Sequence, residues 1–361
     1  MEGKKKMILA GGVVGIISVL LVYFGNPGNM GFCIACFLRD MAGGMGLHRA
    51  EVVQYIRPEI IGLVLGAFLI SVKNKEFESR GGSAPFIRFM LAIAVMIGAL
   101  IFLGCPLRMV LRLGGGDLNA IFGIAGFIAG IFVGVQFLDR GFSLKRNYKM
   151  TSIEGYVFPV VNIGFLILLI IAPAFIFFSE QGPGSLRAPI IIALIAGLIV
   201  GILGQRTRLC MVGGTRDMIL FRDNHLLLGF IAIIVFSFAA NLAFGFLNIG
   251  FQDQPIAHTN SLWNFLGMAI VGWGSVLLGG CPLRQLILAG EGNIDSVVTI
   301  MGMFVGAAIS HNFGLASSGE GVTLNGKIAA IICFVFIGIV SYVNSEGRAM
   351  AKSGKVVKSK S

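Results

Sequence analysis

Long apolar runs alternate with short, polar, glycine-rich breaks along the whole chain. Runs of about 20 residues, long enough to cross a bilayer, lie near 7–24, 52–72, 86–104, 119–138, 156–178, 187–204, 226–249, 262–280, 296–315 and 328–344. Ten spanning helices are therefore expected. Four further segments, 25–51, 105–118, 205–225 and 281–295, are moderately apolar but too short or too broken to span. They read as re-entrant pieces, because irregular backbone is tolerated at membrane depth only where protein or a water-filled cavity satisfies its polar groups. Amphipathic loops lying at the interface are the alternative. The expected fold class is an all-α polytopic membrane protein, about ten transmembrane helices plus four re-entrant short-helix segments.

The breaks are written twice. Cys33, Arg39, Asp40 and Met41 return as Cys210, Arg216, Asp217 and Met218, at a constant offset of 177. Gly104-Cys105-Pro106-Leu107-Arg108 returns as Gly280-Cys281-Pro282-Leu283-Arg284, at an offset of 176. The chain is thus a duplication: a first repeat at 1–150, a linking helix at 151–183, a second repeat at 184–318, and a last helix with a basic tail at 319–361. The odd number of crossings before the second copy inverts it, so the expected shape is an hourglass of two inverted repeats. Internally repeated membrane proteins with interrupted helices are usually transporters, and the breaks form the site.

Composition removes the soluble classes: 56% of residues are hydrophobic, 12% are charged, and the mean hydropathy is +0.89. The net charge of +11 suggests nucleic acid only until its distribution is followed. Lys73, Lys75, Arg80 and Arg88 flank the second helix, and Arg140, Lys145, Arg146 and Lys149 follow the fourth. Arg348, Lys352, Lys355, Lys358 and Lys360 lie in the tail, whereas 250–261 has neither Lys nor Arg. The positive-inside rule then places both termini in the cytoplasm, with membrane lipid and not nucleic acid as the partner. The first run follows Lys4-Lys5-Lys6 and lacks a small-residue cleavage pattern, so it reads as a retained signal anchor.

The candidate chemistry is cysteine chemistry. Proline favours the first position of a helix, so Pro106 and Pro282 put Cys105 and Cys281 at N-caps of short helices over 107–113 and 283–289. A thiol there faces free N–H groups and the positive end of the dipole, which suits anion binding and thiol chemistry alike. Cys33 and Cys36 share a helix face; Cys36 corresponds to Gly213 and is the additional thiol. Cys333, inside the last apolar run, reads as a packing residue. Cys33-x-x-Cys36 has a zinc-like spacing without a second such pair, and His48, His225, His258 and His311 are scattered, so neither a metal nor another cofactor is expected. Arg39-Asp40, Arg216-Asp217, Arg108 and Arg284 are charges near membrane segments, either pinning re-entrant helices or touching substrate. Arg112, which has Leu288 as its counterpart, reads as interfacial. His311-Asn312, in the ninth helix, is a satisfied polar pair or a gate. Two function classes stay open: a transporter of a small anion, and a membrane thiol oxidoreductase using Cys33 and Cys36.

At these motifs the chain resembles the YeeE/YedE family of sulfur-compound transporters, more narrowly its YedE branch associated with selenium metabolism. Gly31-Phe32-Cys33-Ile34-Ala35-Cys36-Phe37-Leu38-Arg39-Asp40, the two Gly-Cys-Pro-Leu-Arg motifs, and Arg208-Leu209-Cys210 leading to Arg216-Asp217 carry the resemblance. It implies import of thiosulfate or a related selenium compound across a bacterial inner membrane, with no enzymatic activity. It further implies a relay of S–H···S contacts in which Cys33, Cys105 and Cys281 match the relay positions and Cys210 matches a motif position of less defined role. A cytoplasmic carrier protein of the TusA or YedF type is the implied partner. Cys36 departs from the simple thiosulfate pattern and leaves sulfur and selenium substrates both open.

Overall fold

The computed structural model describes residues 2–171 and 173–345. Ten long helices are present among them: α1 (Glu2–Tyr23), α3 (Pro58–Lys73), α4 (Pro85–Phe102), α6 (Asn119–Asp139), α7 (Ser152–Ile171), α8 (Ile190–Thr207), α10 (His225–Phe244), α11 (Ser261–Leu278), α13 (Ile294–Asn312) and α14 (Leu324–Val343). Four short ones fall in the motif segments: α2 (Ile34–Gly44), α5 (Pro106–Gly114), α9 (Met211–Phe221) and α12 (Pro282–Gly290). The β-structure among the described residues includes one short ribbon, Arg80–Gly81 paired antiparallel with Tyr148–Lys149. The protein is an all-α polytopic membrane protein.

Nine of the described helices are long and apolar enough to cross a membrane. The tenth expected span, 52–72, differs. Its helix begins only at Pro58, which occupies the first turn and fixes the start, while 52–57 stays outside the helix. The resulting 16 residues reach about 24 Å at 1.5 Å per residue, short of a hydrocarbon core of about 30 Å. The tail charges Arg348, Lys352, Lys355, Lys358 and Lys360 lie outside the described residues.

The two copies exchange partners. Helix α1 packs on α10 and, reciprocally, α8 on α3; α4 packs on α13 and α11 on α6. Two of the short helices each bridge the copies, α5 lying on α10 of the other copy and α6 of its own, and α12 on α3 of the other and α13 of its own. Glycines make these approaches close. A Cβ on Gly126 or Gly130 would stand 1.9 Å from the Phe265 carbonyl oxygen or 2.1 Å from that of Ala269. At Gly302 and Gly306, 176 residues later, the carbonyls met are those of Phe89 at 2.4 Å and Ile93 at 3.1 Å. Gly11 and Gly15 meet the Gly229 and Ile233 carbonyls at 2.4 and 2.8 Å, and Gly197 and Gly201 meet those of Glu59 and Leu63 at 2.3 and 2.2 Å. Small residues permit such backbone contact between membrane helices. Each copy thus fills the grooves of the other, and the four short helices lie between the two groups of long ones. Helix α7 packs on α3 and α14 on α4 and α11, at the periphery.

Candidate functional site

All four repeated cysteines occupy N-cap positions. Cys33 caps α2, and its Sγ accepts the Cys36 N–H at 3.3 Å; Cys210 caps α9 and accepts the Gly213 N–H at the same 3.3 Å. Cys105 and Cys281 precede the Pro at the start of α5 and α12 and make no side-chain cap bond. The Cys210 and Cys281 sulfurs are 3.8 Å apart. In the first copy the Cys33 thiol interacts with both Cys105 and Cys36. All six cysteines are free and buried; Cys333 lies apart from these clusters, in α14.

The charged residues divide by copy. Arg39 donates to Asp40 Oδ1 through Nε (2.9 Å) and Nη2 (2.7 Å), while Arg57 grips Asp40 Oδ2 through Nε (2.8 Å) and Nη2 (2.6 Å). Arg57 also donates to the carbonyls of Pro183 and Leu186 and lies 4.9 Å from the Phe37 ring centroid. Every residue of α2 is buried. Asp40 therefore anchors the short helix α2. In α9 the Arg216–Asp217 pair, 2.8 Å apart, is 30% and 20% exposed and has no second arginine. Arg108 is fully buried, donating to the carbonyls of Asn29, Leu103, Pro255 and Ile256, with Nη1 3.8 Å from Cys36 Sγ. Its counterpart Arg284 pairs instead with Glu291 at 3.1 Å beside a polar cavity, and its charge acts on the Cys210 thiol.

Three features escape a reading by motif. Arg112, expected at the interface, is fully buried: its Nε meets Asp117 Oδ2 at 2.6 Å, Nη1 reaches the Phe102 carbonyl, and its guanidinium stacks 4.3 Å from the Phe102 ring centroid. The glycine turn at 114–116, with Gly116 at φ +96°, folds Asp117 back onto it. Arg57, unremarked in the sequence, sits at the N-cap of α3, where an arginine directly before Pro58 was the available signal. His311 does not stand alone with Asn312; its ring lies 4.6 Å from that of His48, from the other copy. His48 contacts the Arg39 carbonyl oxygen through Nε2 at 3.0 Å, and burial pushes its imidazole below the ordinary histidine value, favouring the neutral form. Among the described residues no three His, Cys, Asp or Glu side chains converge as metal ligands do.

The arrangement presents paired thiols at helix N-termini, with arginines nearby and carboxylates engaged in ion pairs. It suits a small anion able to accept S–H and N–H hydrogen bonds. Comparison with known proteins agrees in kind. Residues 206–327 match the Sulphur transport family. The chain is 31% identical over 123 residues to the thiosulfate transporter TsuA of Escherichia coli (strain K12), covering 34% of each chain. It is 33% identical over 101 residues to the thiosulfate transporter TsuA of Spirochaeta thermophila, covering 27% of this chain and 29% of that one. The matches span about a third of the length of these curated relatives. The matched segment 206–327 contains Cys210, Arg216, Asp217, Cys281 and Arg284.

Proposed function

We propose that the protein is a transporter, importing thiosulfate or a closely related sulfur or selenium anion by handing it between the thiols of Cys33, Cys36 and Cys105 and those of Cys210 and Cys281. The observation that carries this reading is the Cys210–Cys281 contact of 3.8 Å between two helix N-caps, set in motifs that recur around Cys33 and Cys105. Helix dipoles supply the attraction. Each S–H contact is a weak hydrogen bond, so the ion leaves a site as readily as it arrives, as any permeation path requires. Arg108 and Arg284 offset the anion's charge without displacing a thiol, and Pro106 and Pro282 start the helices that aim the caps.

The reciprocal packing of the copies supports two repeats of opposite orientation in an inner membrane, with the first motifs opening outward, the second inward, and both termini cytoplasmic. On that orientation a carrier protein of the TusA or YedF type would receive the ion on the Cys281 side. A thiol oxidoreductase is the less favoured reading, since both relatives are named transporters.

Uptake of radiolabelled thiosulfate into proteoliposomes, competed with selenite, tests the proposal. The intact protein should accumulate label and the Cys105→Ala, Cys281→Ala double variant should not. Uptake that survives the double substitution in a folded protein discards the relay, and competition by selenite at equal concentration would extend the substrate class to selenium.

A further inference from the structure

A polar cavity of about 670 Å³ opens beside Arg284, on the side of the molecule that carries Cys210 and Cys281. Its walls come from four places far apart in sequence: the turn after α3, the ribbon strand at Lys149, the end of α8, and Arg284 with the Glu291–Asn293 turn. The charges lining it are not balanced. Each carboxylate already has a cationic partner: Glu76 meets Arg206 at 3.7 Å, Glu78 meets Arg80 at 3.7 Å, and Glu291 meets Arg284 at 3.1 Å. Lys75, Lys149 and Arg208 line the same cavity, and no hydrogen bond or ion pair engages their side chains among the described residues. Arg208 stands two residues before Cys210, held at φ +56° as the αL cap of α8.

We propose that this cavity is an anion-binding vestibule in which Lys75, Lys149 and Arg208 hold a small divalent oxyanion between the Cys210–Cys281 thiols and the surrounding water. The inference rests on the transport reading and adds a site to it that uses no thiol. A cleft lined by one uncompensated sign of charge between low-dielectric walls concentrates counter-ions. Its volume, roughly twenty waters at about 30 Å³ each, is far larger than a five-atom oxyanion, so the ion is held hydrated and by charge, not by fit. Two consequences distinguish such a site from the thiol path: it takes sulfate as readily as thiosulfate, and salt weakens it because screened charges at this exposure act only within a Debye length.

The test is binding of radiolabelled sulfate to the purified full-length protein in detergent, at low and high sodium chloride. The variant Lys75→Gln, Lys149→Gln, Arg208→Gln should lose about ten-fold or more in affinity, the sum of three partly exposed charge contacts. A control, Lys73→Gln, Lys145→Gln, Arg146→Gln, removes the same charge from the end of α3 and the segment before the Lys149 strand, outside the cavity, and should bind within about two-fold of the intact protein. The Cys210→Ala, Cys281→Ala variant should bind sulfate normally. Equal losses in the cavity and control variants, or binding indifferent to salt, overturn the vestibule. Displacement of sulfate by anionic phospholipid at stoichiometric amounts also overturns it, assigning the cavity to a lipid phosphate. Sulfate binding that follows the three cations in a protein that fails to transport would retain the vestibule and discard the relay, so the two proposals fail separately.

Discussion

The first-copy motif is sealed and the second is open. Helix α2 is buried along its whole length and tied by Asp40 to two arginines, whereas α9 leaves its Arg216–Asp217 pair partly exposed. Arg108 spends its donors on four backbone carbonyls, while Arg284 faces a cavity. Both helices begin with the same cysteine accepting the same N–H at 3.3 Å. Duplication has therefore kept the cap, which is local, and let the tertiary setting diverge. One copy is packed throughout, and the other lies beside a polar cavity.

The largest expected effects separate the thiols themselves. Cys33→Ser should keep the N-cap, since serine accepts the same N–H bond, while thiosulfate uptake falls at least ten-fold; uptake at the intact rate would reduce Cys33 to a capping residue. Cys36→Ala should have a milder effect than Cys281→Ala, because Cys36 is the thiol without a repeat counterpart.

Next comes the anchor. Asp40→Asn leaves Arg39 and Arg57 buried without a carboxylate, and breaking a buried pair costs about 3–5 kcal/mol. Thermal unfolding in detergent should show this as a large loss of stability. The repeat-equivalent Asp217→Asn should cost less than about 1 kcal/mol at its exposure. Equal losses would remove the distinction between a sealed and an open copy.

The smallest effects test what the copies still share. Gly126→Ala and Gly302→Ala should each destabilise by about 1–3 kcal/mol through overpacking against a carbonyl, and by similar amounts. Gly164→Ala, where no atom lies within 4 Å of the added carbon, should be neutral or slightly stabilising in the same unfolding measurement. A strong asymmetry between Gly126 and Gly302 would mean that the reciprocal seats are not mechanically equivalent.

Much of this was legible in the chain. The ten long helices, the four short ones and the N-caps at Cys105 and Cys281 follow from apolar run length, glycine breaks and the placing of Pro106 and Pro282, all of which act within a few residues, whereas the caps at Cys33 and Cys210 have no proline to announce them. The ion pairs were not legible, for the opposite reason. Arg57 becomes a partner of Asp40 only when the 52–57 segment is laid against α2, and Arg112 is drawn inward only when Gly116 turns Asp117 back onto it. His48 and His311 are neighbours across 263 positions, with nothing local to each other in sequence. The start of α3 at Pro58 falls between these cases: the proline was visible, but apolar character beginning at Val52 outweighed it in a reading by run length.

The exchange of partners between copies bears on how the protein is made. The grooves of α1 and α3 are filled by α10 and α8, so the first half leaves the ribosome with its glycine seats vacant and its complementary surface unsynthesised. Helix α10 lies some 200 residues after α1, an interval of roughly 10–40 s at 5–20 residues per second. Arg57 already has Asp40 behind it in the chain, but its two carbonyl acceptors, Pro183 and Leu186, follow it by 126 and 129 residues. The first repeat is a half-built interface until its twin arrives.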